Sequence, residues 1–147
     1  TWNNESVADI VVEAASLRGA SLGSDVALRA LDEIPVLAVA AACANGTTRI
    51  SGVRRLREKE SDRLATIAHM LQAVGIACEV GADDISITGN AGAHIEQPAT
   101  IATEGDHRIT MSAAPLAAAM GPIEIDDAAA ADVSFPNFAA VWAAGQR

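Results

Sequence analysis

The sequence predicts an α/β domain built from a repeated β-α-β-α-β-β unit, and three observations carry that expectation. Strand-like and helix-like runs alternate along the chain. Short patterns recur at a near-constant offset: Asp9-Ile10-Val11-Val12 reads like Asp84-Ile85-Ser86-Ile87 75 residues later, and Gly46 and Ile50 match Gly121 and Ile125 at the same interval. Asp32-Glu33, before one apolar helical run, matches Asp106-His107-Arg108 before another at an interval of 74. The apolar half of the 147 residues is also mostly small, with 33 alanines and four aromatics, which suits short helices packed closely.

Each element has a local reason. Residues 8–14 alternate and are rich in Val and Ile, which predicts a strand. A helix is expected over about 33–44, with Asp32 as N-cap, Pro35 in the first turn and Asn45-Gly46 closing it. A strand follows over about 47–53. The apolar positions Leu64, Ile67, Ala68, Leu71 and Val74 have helical spacing, so a second helix is expected over about 60–74, ended by Gly75. Strands at about 76–81 and 84–88 lead into the second copy. That copy carries a helix at about 107–120, a strand at about 122–127 and a helix from about 136. The repeat units are expected at about 8–83 and 84–147. A counterpart of Gly75 belongs near position 150, past Arg147. The last unit therefore reads as truncated and the chain as a single partial domain.

Charge excludes some functions. The formal net charge is -9, with 10 basic and 19 acidic residues, the opposite of a general nucleic-acid binder. The longest uncharged apolar run, Ile34–Ala44, is shorter than the roughly 18 residues of a membrane span. With no signal peptide recognisable, a cytoplasmic location is expected. Cys43 and Cys78 are too few for a disulfide framework or a cysteine metal site, and reduced, half-buried thiols are expected. His94-Ile95-Glu96 could offer two metal ligands, but no third is evident nearby. There is no phosphate-binding Gly-rich loop and no dinucleotide fingerprint. His69 and His94 read as structural.

The cations are concentrated. Arg49, Arg54, Arg55, Arg57, Lys59 and Arg63 fall within fifteen residues that hold three acids, a local net of +3. Lys59 and Arg63, spaced i, i+4, are expected on one side of a helix start, where free N–H groups and the helix dipole already favour an anion. A solvated basic turn is the plainer alternative. Asp106-His107-Arg108 again sets cationic groups at a helix start, which costs helix stability unless an anion binds. Equivalent starts in duplicated units would face one rim, bringing Asp32, Lys59, Glu60, His107 and Arg108 together.

At these residues the chain resembles a known family. Asp32-Glu33-Ile34-Pro35, Arg57-Glu58-Lys59-Glu60-Ser61-Asp62-Arg63, Asp106-His107-Arg108 and Ser134-Phe135-Pro136 occur in that order. Together they resemble the C-terminal part of the enolpyruvyl transferases that act on shikimate 3-phosphate, over essentially the whole chain. The resemblance implies an inverse α/β prism domain of a two-domain enzyme with its active site in the interdomain cleft. It implies transfer of the enolpyruvyl group of phosphoenolpyruvate to the 5-hydroxyl of shikimate 3-phosphate, with release of phosphate. No metal or organic cofactor is implied. The partners implied are the two substrates and an N-terminal portion of the same enzyme, without which the chain alone is expected to be inactive. By the same resemblance Asp32 holds shikimate hydroxyls and serves as base, and Glu60 protonates and then deprotonates the phosphoenolpyruvate methylene carbon. Lys59 contacts the hydroxyl and the tetrahedral centre, Arg63 and Arg108 clamp phosphoenolpyruvate, and His107 supports its phosphate. The pattern departs at Val133, where many members carry Lys, and at Asn137, where the family has Asp. Val133 best suits the alternative of a non-catalytic phosphate- or carboxylate-binding module derived from the family.

Overall fold

The computed structural model describes residues 3–145. In chain order the elements are β1 (Ser21–Leu22), α1 (Ser24–Arg29), α2 (Ile34–Ala42), β2 (Gly46–Ser51), α3 (Arg63–Ala73), β3 (Ala77–Val80) and β4 (Asp84–Gly89). They continue with β5 (Ala99–Ile101), α4 (His107–Met120), β6 (Ile123–Ile125) and α5 (Phe138–Gly145). Tight 3-10 turns lie at Leu31–Glu33, Arg54–Glu58 and Ala129–Val133. The expected α/β class holds. A four-stranded sheet runs β1-β2-β4-β3, with β1 parallel to β2 and the other pairs antiparallel. A second, two-stranded sheet pairs β5 and β6 in parallel.

Register sets the core. Ile50 of β2 lies opposite Ile85 of β4, and Thr48 opposite Ile87, so these four buried side chains share one sheet face. Helices cover that face. α2 is apolar all round and packs against α3, α4 and β4. Gly89 of β4 permits a close approach to α2, since a Cβ there would run into the Ala41 carbonyl oxygen. α3 buries Leu64, Ile67 and Leu71, and α4 buries Ile109, Ala113 and Leu116 against the same cluster. α3 ends at Ala73 with Val74 as its C-cap, and Gly75 at φ 78° lets the chain reverse there, with the Ile76 N–H donating to the Leu71 carbonyl at 3.0 Å.

Three expectations change. The strand expected at 8–14 does not form. Its alternating residues have no strand beside them among the described residues, and Ile10, Val11 and Val12 are 83–87% exposed. Side-chain alternation fits a pleated surface, but a strand needs an edge to hydrogen-bond to. Asp32 does not cap α2. It lies in the preceding 3-10 turn, and the position before α2 is Glu33, without a side-chain cap. Lastly, α3 begins at Arg63 rather than near 60. Asp62 caps it by accepting from the Ala65 N–H at 3.1 Å, so Lys59 is extended backbone outside the helix. β1, α1 and β5 were not expected; the two strands are only two and three residues long, too short to leave a period in the sequence.

Both cysteines are free and half-buried, and burial raises the thiol pKa of each above its ordinary value. No described helix is long and apolar enough to cross a membrane.

Core and exposed apolar positions should respond oppositely. Ile87→Ala removes a fully buried side chain and is expected to cost about 2–5 kcal/mol. Val11→Asp, at an 83% exposed position, is expected to stay within about 0.5 kcal/mol. Urea unfolding of both variants checks the contrast.

Candidate active site

The site assembles at the approaches to three helices. The 3-10 turn before α2 presents Asp32, the turn before α3 presents Lys59 and Glu60, and the starts of α3 and α4 present Arg63, His107 and Arg108. α4 is capped by Asp106, whose Oδ1 accepts the Arg108 N–H at 2.9 Å. All six residues singled out from the sequence are thereby brought together.

Arg63 is the hub. Its side chain is only 1% exposed. Its Nε donates to Asp106 Oδ2 at 2.8 Å, its Nη2 donates to Asp106 Oδ1 at 3.2 Å, and its Nη1 donates to Asp32 Oδ1 at 3.1 Å. Nη2 also donates to Glu60. Lys59 Nζ reaches the same Asp32 oxygen at 3.1 Å, although Lys59 stands outside the helix. Arg108 Nη1 donates to the Asp32 carbonyl at 3.2 Å, and its Nη2 lies 3.8 Å from Asp32 Oδ2. His107 Nδ1 stands 4.0 Å from Glu60 Oε1.

Two residues the sequence reading gave no role complete the cluster. Asp106 is fully buried and accepts from Arg63, from the Arg108 N–H and from the Ser61 hydroxyl at 3.1 Å. The signal for Asp106 was present in the Asp-His-Arg triplet, as a cap residue before a helix. Ser61 left no such signal, since a hydroxyl in a charged run reads as solvated.

Burial and charge set the carboxylates. Burial pushes the Asp106 carboxyl up, but the hydrogen bonds and charge of Arg63, with the Arg108 N–H and Ser61, outweigh it and leave the pKa below the ordinary value. The hydrogen bond from Lys59 lowers Asp32, aided by the charges of Lys59 and Arg108 and against some burial. The Arg63 guanidinium is desolvated, yet its three carboxylate neighbours hold it more firmly protonated than usual. Lys59, Arg63 and Arg108 thus face Asp32, Glu60 and Asp106, with Glu33 3.9 Å from Arg108 at the edge, three cations against four carboxylates. An incoming anion must displace a carboxylate. Asp32 and Glu60, 45% and 47% exposed, can move aside; Asp106, at 0%, cannot.

The basic run divides between structure and site. Arg49 pairs with Asp84 at 2.6 Å, and Arg57 with Asp62 at 2.8 Å, so both serve the fold. Arg54 and Arg55 are exposed. Beside the charged cluster a cleft of about 240 Å³ lies against Asp32 and Arg108 and is walled by Met111, Phe138 and Trp142. Phe138 stacks on Trp142, with ring centroids 6.2 Å apart. Val133 lies in the turn before α5 and is 78% exposed. His69 and His94 are exposed and stand outside the cluster. Among the described residues, no group of three or more His, Cys, Asp or Glu is placed to hold a metal ion.

The Arg63–Asp106 pair makes stability depend on pH. A carboxyl with a lowered folded pKa stabilises above its unfolded value, near 3.9, and that stabilisation is lost as pH falls through the folded value. Asp106→Asn leaves Arg63 without its buried partner and is expected to cost about 3–5 kcal/mol at pH 7. The gap between wild type and variant should narrow as pH falls below about 4, where the unfolded carboxyl takes up a proton while folded Asp106 still resists it. Thermal unfolding from pH 7 to 2.5 measures it, and a gap constant with pH would contradict the assignment.

The family model for EPSP synthase (3-phosphoshikimate 1-carboxyvinyltransferase) matches residues 1–142. The 3-phosphoshikimate 1-carboxyvinyltransferase of Dichelobacter nodosus is 48% identical over 138 residues, covering 93% of this chain and 31% of the relative. That of Methylorubrum populi is 46% identical, covering 91% and 30%. Among solved structures, an EPSP synthase from Acinetobacter baumannii superposes with a TM-score of 0.78 at 38% identity, covering 84% of this chain and 29% of that one. The chain therefore spans under a third of the length of these relatives. On the family match and these relatives, it belongs to the EPSP synthase family of transferases.

Proposed function

We propose that this chain is part of an enzyme that transfers the enolpyruvyl group of phosphoenolpyruvate to the 5-hydroxyl of shikimate 3-phosphate and releases phosphate. The observation that carries the reading is the convergence of Asp32, Lys59, Glu60, Arg63, His107 and Arg108 from three separate stretches onto one charge network. A single anion-binding turn would not need a carboxylate from a third helix approach.

In this reading Asp32 holds the shikimate hydroxyls and accepts the 5-hydroxyl proton as the oxygen bonds to the central carbon of phosphoenolpyruvate. Its carboxylate is ionised at neutral pH, held below the ordinary pKa by Lys59, and it gains basicity when substrate draws Lys59 and Arg108 away. Glu60, once it has taken up a proton, delivers it to the methylene carbon, giving a tetrahedral intermediate. It then takes a proton back from the resulting methyl as the C–O bond to phosphate breaks and the double bond reforms, and the leaving phosphate carries off the proton that Asp32 took from the 5-hydroxyl. Lys59, which shares Asp32 with Arg63, stands where it can stabilise charge at the hydroxyl oxygen. Arg63 and Arg108 bind the phosphoenolpyruvate anion, their planar forks each suited to two oxygens, and His107 supports the phosphate. Binding at Arg63 requires the anion to take the place of Glu60 on Nη2. The same event frees Glu60 from its ion pair, so that it can take up the proton it delivers.

The duplicated unit belongs to the proposal. The order helix, strand, helix recurs as α2-β2-α3 and α4-β6-α5, and β1∥β2 is echoed by β5∥β6. We read these as two copies, about 8–83 and 84–147, of one unit in a domain completed by further chain. The N-terminal portion of the same enzyme is the proposed partner, and a cytoplasmic location goes with it. The reading assigns no metal or organic cofactor a role.

Mixing the chain with the complementary two-thirds of the Dichelobacter nodosus relative and measuring phosphate release tests the proposal. Release is expected in the mixture and not from either piece. Full turnover by the chain alone would overturn the expected inactivity. No release from a mixture whose two matched Dichelobacter pieces do complement would overturn the function. In the reconstituted enzyme Glu60→Gln is expected to lower kcat by about 10²–10⁴-fold with KM little changed.

A further inference from the structure

The loop that delivers Asp106, His107 and Arg108 is held from behind by a residue outside the site. The parallel pair β5∥β6 ends at Ile101 and Ile125. Beyond it, Asp126 continues the connection with its side chain: Oδ1 accepts the Thr103 hydroxyl at 2.6 Å and the Thr103 N–H at 2.9 Å. Thr103 is fully buried, and its carbonyl accepts the Asp106 N–H at 2.9 Å. Asp106 in turn holds Arg63. Next to Asp126, the Asp127 carbonyl accepts from the Thr110 hydroxyl of α4 at 3.2 Å, so one corner grips both the loop and the helix it feeds.

The loop needs such a grip. Glu104 and Gly105 both have positive φ, 54° and 70°. A non-glycine residue there is unfavourable and persists only when both ends of the segment are tied. The Asp106 cap ties one end, and Asp126 ties the other.

We propose that Asp126, acting through Thr103, is a positioning residue that sets the Asp106–Arg63 pair and the Arg108 backbone for anion binding. This rests on the reading of that cluster as a phosphoenolpyruvate site. Asp126 touches neither Arg63 nor Arg108 in the hydrogen-bond network. It works by fixing where the loop places Asp106, and it can do so only as a double acceptor.

The test uses the ¹⁵N-labelled chain, phosphoenolpyruvate as ligand, and two NMR readouts: the dissociation constant from titration, and solvent exchange of the Arg63 Nε–H. Asp126→Ala is expected to weaken binding about tenfold and to speed Arg63 exchange by a similar factor, the cost of losing hydrogen bonds in one relay. The Ile85 and Ile87 amides of the four-stranded sheet should not move. Asp126→Asn keeps an acceptor oxygen and should restore binding to within about threefold of wild type. Wild-type affinity and exchange in Asp126→Ala would overturn the proposal. If Asp126→Ala also disperses the Ile85 and Ile87 signals, Thr103→Val carries the test, since it removes one donor without changing shape. Faster Arg63 exchange in it supports the relay, and unchanged exchange overturns it. If the unsubstituted chain gives no saturable response to phosphoenolpyruvate, the substrate reading fails separately, and Arg63 exchange alone decides the role of Asp126.

Discussion

A guanidinium and a carboxylate buried against each other, Arg63 and Asp106, are the constraint around which the rest is arranged. Removing two charges from water costs several kcal/mol per ion, and an apolar pair of the same size would hold α3 to α4 at least as well. What the ion pair adds is geometry. Arg63 is the first residue of α3, and Asp106 caps α4. Two helices starting at one buried bond cannot slide past each other without breaking it. The remaining Arg63 donors are left pointing at Asp32 and Glu60. The catalytic candidates thus inherit their positions from a bond that itself takes no part in the proposed chemistry.

The start of α4 and the body of α3 were legible in the sequence because each carries a local mark. Asp106 before an apolar run announced α4 correctly, and the spacing of Leu64, Ile67 and Leu71 announced the body of α3. The site was legible as a set of residues but not as a network. Spacing suggested Lys59 and Arg63 on one helix face; in fact Asp62 competes for the capping position, and Lys59 reaches Asp32 from extended backbone. Asp32 looked like a cap because acids before helices usually are caps. Its carboxylate is instead drawn away by two cations more than 25 residues distant in sequence, and no local pattern encodes them. Thr103 and Asp126 carried no signal at all, since their bond joins two loops 23 residues apart.

The charge distribution also resolves into two uses. A local +3 suggested an anion site, yet four of its six cations serve elsewhere or face solvent. The two that remain, Lys59 and Arg63, together with Arg108 face four carboxylates, Asp32, Glu33, Glu60 and Asp106. Such a balance keeps a buried guanidinium affordable while no ligand is present, and it gives selectivity, because an anion must outcompete a carboxylate already in place. Only a ligand with several oxygens can recover what Glu60 and Asp32 give up. Val133, 78% exposed, adds no cation to that competition, so under the proposed function the anion leans on Arg63 and Arg108.

Polar and apolar requirements are met unequally in this chain. Among the described residues, every buried side-chain nitrogen and oxygen has a hydrogen-bond partner. The cationic half of the site is therefore organised by this chain's own residues, although the chain spans 31% of the length of its Dichelobacter relative. The apolar account is open: Ile10, Val11 and Val12 face water, and α5 buries none of its residues. Hydrogen bonds are directional and are met by near neighbours, whereas apolar burial needs area, which a small chain lacks. Under the proposed function, then, the remainder of the enzyme need not build this side of the site. Its work on this side is to cover apolar surface and to bring the second substrate face to a cluster that already has its shape.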